Sequence, residues 1–122
     1  MKIGNCYLTY SPFLREHLVS TECKKPETAI KRFTAVLCEL TSYNPRFDFS
    51  SLVRAVFSSS DVRTFDDGSF RKSFSCTSSG LLFDTTVFLE LTFHDGVYIL
   101  SVNFSSFDKT SDTIEDTTDT IL

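Results

Sequence analysis

VFLELTFHDGVYILSV, residues 87–102, decides the fold. Asp95-Gly96 separates two runs in which apolar residues recur at every second position. Such a pair favours a two-residue type I′ turn, because glycine takes a positive φ without a Cβ clash and aspartate tolerates one. A turn there fixes the register: His94 faces Val97, Phe93 faces Tyr98, Leu91 faces Leu100, Leu89 faces Val102 and Val87 faces Phe104. Successive side chains alternate between the two faces of a strand. One face is then Val87, Leu89, Leu91, Phe93, Tyr98, Leu100, Val102 and Phe104. The other carries Glu90, Thr92, His94, Ser101 and Asn103, with Phe88, Val97 and Ile99 among them. A slip of one residue would turn an apolar set toward water, so the pairing is well specified.

The apolar face needs a cover, and the preceding chain supplies one. Pro26 opens a helix running to about Thr41, with Ala29, Ile30, Phe33, Val36, Leu37 and Leu40 on one side. Glu27 and Lys31 stand at i, i+4 spacing on its exposed side. Asn44-Pro45 ends it, since proline cannot donate and restricts the residue before it. A shorter helix spans about Phe49 to Ser58, with Asp48 as its cap and Phe49, Leu52, Val53, Val56 and Phe57 turned inward.

The remaining segments are read from the same two periods. IGNCYLTY, residues 3–10, is rich in strand formers and predicts a first strand. Ser11-Pro12 then reads as a cap and first helical position, with Phe13, Leu14, His17 and Leu18 at helical spacing to about Val19. Val62–Phe65, the turn Asp66-Asp67-Gly68 and Phe70–Cys76 make a second hairpin, and Thr77-Ser78-Ser79-Gly80 a loop. The long hairpin runs over Leu81–His94 and Val97–Phe107, with a break expected near Asp84. The fold class is α+β. It is a two-layer domain with an N-terminal strand and two to three helices, the helices packed on one face of a mainly antiparallel sheet of four to five strands.

The chain has 122 residues and 41% hydrophobic content, with 13 phenylalanines, which is enough for one domain with a real core. Its net charge of −4 is uneven. Sixteen acids and twelve bases occur in all, and residues 108–122 hold five and one of them, so 1–107 carries eleven of each. The reading is a globular domain over 1–108 and an acidic tail over 109–122. A neutral body argues against a strongly basic nucleic-acid binder and against an acidic nucleic-acid mimic. Cys6, Cys23, Cys38 and Cys76 are far apart in sequence and spell no C-x-x-C, so reduced thiols rather than a zinc or redox motif are expected. No apolar run is long enough for a leader or a membrane span, which places the protein in the cytoplasm or a host-cell interior and off the membrane.

Chemistry-bearing motifs are sparse. His94-Asp95 spells the dipeptide of metal-dependent phosphohydrolases, but His17 is the one other histidine. No Gly-rich phosphate loop and no nucleophile elbow occur among four glycines. Neither cofactor, metal nor catalytic residues are therefore expected, and an enzyme is disfavoured. The favoured expectation is a small intracellular binding or regulatory protein, of the kind virus and phage accessory factors represent, that docks on another protein. Phe88, Val97 and Ile99 are its interface candidates, either for that partner or for a homodimer.

The alternative is a single-stranded nucleic-acid module. Arg63, Arg71 and Lys72 flank Phe70 on the 62–76 hairpin, and Lys24, Lys25, Lys31 and Arg32 cluster about the start of the first long helix. Cations beside rings on a sheet would hold phosphates and stack bases. Thr120 and Leu122 close the tail as Asp119-Thr120-Ile121-Leu122, a pattern suited to capture of a terminal carboxylate by a strand-adding domain.

Overall fold

The computed structural model describes residues 1–11, 16–40 and 47–108. The chain order is β1 (Lys2–Ile3), β2 (Cys6–Ser11), β3 (Glu16–Glu22), α1 (Pro26–Leu40), α2 (Phe49–Phe57), β4 (Val62–Thr64), β5 (Phe70–Ser79), β6 (Phe83–His94) and β7 (Val97–Asp108). The strands form one seven-stranded sheet in the order β1-β2-β3-β7-β6-β5-β4, and every neighbouring pair is antiparallel. Two meanders, β1 to β3 and β4 to β7, are thus joined through the helices and meet where β3 pairs with β7.

The β6–β7 hairpin has the register that its alternation requires, from His94↔Val97 through Leu91↔Leu100 to Val87↔Phe104. Asp95 and Gly96 both adopt positive φ, 50° and 78°, as a type I′ turn demands. α1 lies over β2 and β3, and α2 over β5 and β6. Between the layers, Ala29, Phe33, Val36 and Leu37 of α1 and Phe49, Val53, Val56 and Phe57 of α2 meet Val87, Leu89, Leu91, Leu100 and Val102. At the start of α2 the Asp48 carboxylate accepts from the Ser51 hydroxyl at 2.7 Å and its N–H at 3.4 Å, satisfying a helix-end donor.

The sheet is larger than four to five strands for two local reasons, and one strand is longer than expected. The expected helix reaching Val19 is instead β3 from Glu16 onward, while its start at residues 12–15 lies outside the described residues. In that strand Val19 and Thr21 are buried, while Leu18 and Glu22 are exposed, a period of two. Val19 packs beside Leu100 and Leu8, and tertiary pairing on both flanks overrides a helical spacing that four apolar residues alone suggested. The expected first strand is broken by a turn at Gly4-Asn5 into β1 and β2, where Gly4 takes φ 58°. The expected loop Thr77–Gly80 is mostly strand: β5 continues to Ser79, each residue paired with β6. β6 starts at Phe83 rather than Leu81 and runs unbroken past Asp84. The α1 boundary falls at Leu40, and Asn44-Pro45 lies outside the described residues. Glu27 pairs with Arg54 of α2 at 3.0 Å rather than serving Lys31, so this ion pair bridges the helices.

Candidate docking surface

Both helices sit on one face of the sheet, and no described residue covers the other. Alternation sends Phe88, Glu90, Thr92 and His94 of β6 to that open face, with Val97, Ile99, Ser101 and Asn103 of β7. Register extends the row of Ile99 across the whole sheet. Lys2 pairs with Tyr7, Tyr7 with Ser20, Ser20 with Ile99, Ile99 with Thr92, Thr92 with Arg71 and Arg71 with Arg63.

The apolar groups on this face are solvent-exposed. Tyr7 is 60% exposed, Phe88 49%, Ile99 39% and Leu18 38%, and Val97 is half-buried. Scattered singly they would be ordinary. Here they share one face that has no second layer among the described residues. Beside Phe88 lies a shallow depression of about 360 Å³ lined by Asp61, Ser73, Ser75, Glu90, Ser101 and Asn103. Its Glu90 and Ser101 are engaged. Arg71 Nε lies 3.5 Å from Glu90 Oε1, and the Ser101 hydroxyl donates to Glu16 Oε1 at 2.5 Å. The three interface candidates therefore share the open face, Val97 and Ile99 near the turn and Phe88 farther along, opposite Asn103. Tyr7 and Leu18 join them, and sequence reasoning missed both. Leu18 was lost with the helical reading of its segment, although the alternation of 16–22 carried the signal.

The cations and ring named for nucleic acid are divided. Phe70 is half-buried against the core, its ring 5.5 Å from Phe93, on the helix side of the sheet. Lys72 is on that side too, its ammonium bonded to the carbonyl of Phe57 at the C-terminal end of α2, where the helix dipole favours a cation. Arg32 Nη1 donates to Thr21 Oγ1 and to the Glu22 carbonyl, both at 3.0 Å, and straps α1 to β3. Lys24 and Lys25 are exposed ahead of α1, near the β6–β7 turn, where Cys23 N–H donates to the Gly96 carbonyl. Lys31 is exposed on the helix layer. Arg63 and Arg71 alone of the set share the open face, directly opposite each other on β4 and β5, with Arg63 5.4 Å from the Phe65 ring. Thr120 and Leu122 lie outside the described residues.

His94 and Asp95 fall at the hairpin tip. His94 Nδ1 is 3.4 Å from the Asp67 carboxylate, and hydrogen bonds from Ser69, with the neighbouring His94, hold that carboxyl below its ordinary range. Among the described residues no three His, Cys, Asp or Glu side chains cluster as metal ligands. None of the four cysteines is in a disulfide, and burial pushes the Cys6 thiol up, opposite to the shift of a reactive thiolate. No described helix is long and apolar enough to cross a membrane. Comparison with protein-family models, curated proteins and solved structures finds no match.

Proposed function

We propose that this protein is a small accessory or regulatory factor that docks another protein on the uncovered face of its sheet, around Phe88, Val97 and Ile99. The observation that carries the reading is the exposure of Tyr7, Leu18, Phe88 and Ile99 on one face of a seven-stranded sheet whose other face carries both helices. The five longer strands, β2, β3, β7, β6 and β5, at ~4.8 Å spacing and ~6 residues of shared length give an area of roughly 19 by 20 Å, about half of the ~800 Å² each partner contributes to a standard interface. Cysteines outside disulfides fit a reducing compartment, the cytoplasm or a host-cell interior. The partner's matching surface would be apolar at its centre, with polar groups to meet Glu90, Ser101 and Asn103 at the rim.

The test is affinity capture with the intact chain against the same chain carrying Phe88→Ser and Ile99→Ser. The reading expects one partner retained by the first and lost by the second at equal circular dichroism. Retention by both would overturn it.

Single-stranded nucleic acid is the second reading. Arg63 and Arg71 face each other across β4 and β5, with the Glu90 carboxylate 3.5 Å from Arg71, so a phosphate would compete with that carboxylate for the pair. A phosphate there would be flanked by Phe65. Titration with single-stranded oligonucleotides over a range of salt decides it, since phosphate contacts weaken steeply as salt rises. Absence of salt-sensitive binding removes this reading and leaves the first intact.

A further inference from the structure

Among the described residues one edge of the sheet is left open, and its chemistry suits a second copy of the same strand. β4 pairs only with Phe70–Lys72 of β5, and the Asp61 carbonyl then accepts from Ser73 N–H at 3.0 Å. In an extended strand the N–H and C=O of one residue point to the same side, and alternate residues point the same way. Ser75, Thr77 and Ser79 therefore direct their backbone groups outward as Ser73 does, and no described strand lies there. Natural sheets guard such edges with charge, proline, bulges or short length. Ser73–Ser79 reads SFSCTSS, with neither charge nor proline. The opposite edge is closed by the two-residue β1, which begins at Lys2.

The tip that follows β5 is exposed and apolar. Leu81 is 97% exposed and Leu82 62%, beside Phe83 at 43%.

We propose that β5 pairs with β5 of a second copy, antiparallel about a two-fold axis at Thr77. Thr77 then faces the partner's Thr77, and Ser75 faces the partner's Ser79. About six backbone hydrogen bonds form, from donors and acceptors that already point outward. Because the strand is neutral, self-pairing brings no like charges together. The same register lays each leucine tip against the start of the partner's β4, where Val62 is 48% exposed, so apolar surface is buried at both ends of the pairing. The two sheets become one, with helices on a common face and the proposed docking faces side by side. This surface is distinct from that docking face and does not depend on it.

The experiment is sedimentation or light scattering of the full chain from low to high micromolar concentration. The wild type should reach twice its 13.8 kDa mass. Thr77→Lys puts two ammonium groups face to face at the axis and should raise the dissociation constant about tenfold, equivalent to 1.4 kcal/mol. Thr77→Pro removes an outward N–H while Cys76 and Ser78 keep the ladder to β6, so it should give a folded monomer. Under mild oxidation Thr77→Cys should cross-link to its copy, since hydrogen-bonded antiparallel pairs have Cα atoms about 5.5 Å apart, within disulfide reach. Ser75→Cys, which would face the partner's Ser79, should not. A wild type monomeric at all concentrations overturns the proposal. So does a dimer untouched by the Thr77 variants but lost with Phe88→Ser and Ile99→Ser. Slow amide exchange at 75, 77 and 79 in a monomer would overturn it too, by assigning the edge to another segment of the same chain.

Discussion

Leu91 of β6 lies directly opposite Leu100 of β7, at the centre of the sheet, and neither reaches water. Their neighbours Thr92 and Ile99 are also opposite one another, on the open face. Leu→Ala at 91 or 100 removes buried methyl groups from a site with no room to relax, and should cost about 2–5 kcal/mol. That is a large part of the ~5–15 kcal/mol typical of a domain. Thr92→Ala should stay within about 1 kcal/mol. Urea denaturation measures all three, and equal midpoints for the Leu91 and Thr92 variants would contradict the register.

Phe88 and Ile99 contribute little to the core, being 49% and 39% exposed. Changing both to serine should shift the unfolding midpoint far less than a single Leu91→Ala, while the near-ultraviolet spectrum of the buried aromatics is kept. A double variant that melts with the Leu91 variant would show that both side chains support the fold.

Arg32 binds Thr21 Oγ1 and the Glu22 carbonyl from one nitrogen, and Thr21 is only 2% exposed. Arg32→Met keeps the aliphatic packing but removes both bonds, and should cost about 1–3 kcal/mol. Lys31→Met, on the same helix but exposed, should be near neutral. Thermal melts of the two variants side by side check the contrast.

Hydrogen bonds from the Ser51 hydroxyl and N–H hold the Asp48 carboxyl below its ordinary value of 3.8. Folding favours the charged form, so Asp48 contributes stability that is present above about 3.8 and lost as pH falls through its lower folded value. Asp48→Asn keeps a capping oxygen but not the titration. The melting-temperature gap between wild type and variant should therefore narrow as pH drops from 5 to 2.5.

His17 gives a second acid window. Its ring stacks on Tyr10 at 4.5 Å between centroids, and burial lowers its pKa from the ordinary 6.5. The folded state binds the proton less well than the unfolded one, so stability is full above about 6.5 and declines as pH falls through the folded value. His17→Phe should flatten the melting temperature between pH 7 and 5. An unchanged slope would show that the imidazole is not the titrating group.

The sequence by itself determined the turn and register of the β6–β7 hairpin, though not where its strands begin and end, because Asp95-Gly96 sets the turn and a period of two then leaves one register that buries Val87, Leu89 and Leu91. It determined α2 for a similar reason: the Asp48 cap and the inward stripe from Phe49 to Phe57 are local signals that agree. It placed Phe88 and Ile99 opposite the core, since alternation alone assigns faces. Only the tertiary structure decided that residues 16–22 are a strand, because Val19 is stabilised by Leu8 on one side and Leu100 on the other, contacts distant in sequence. Only it decided that Phe70 and Lys72 turn to the helices, Lys72 by reaching the last carbonyl of α2, which no local pattern reveals. The Ser/Thr run at the end of β5 read as a loop because it has no apolar rhythm. It is strand because Asp84, Thr85 and Thr86 offer it a ladder, and a backbone hydrogen bond carries no signature in the side chains that sequence reading depends on.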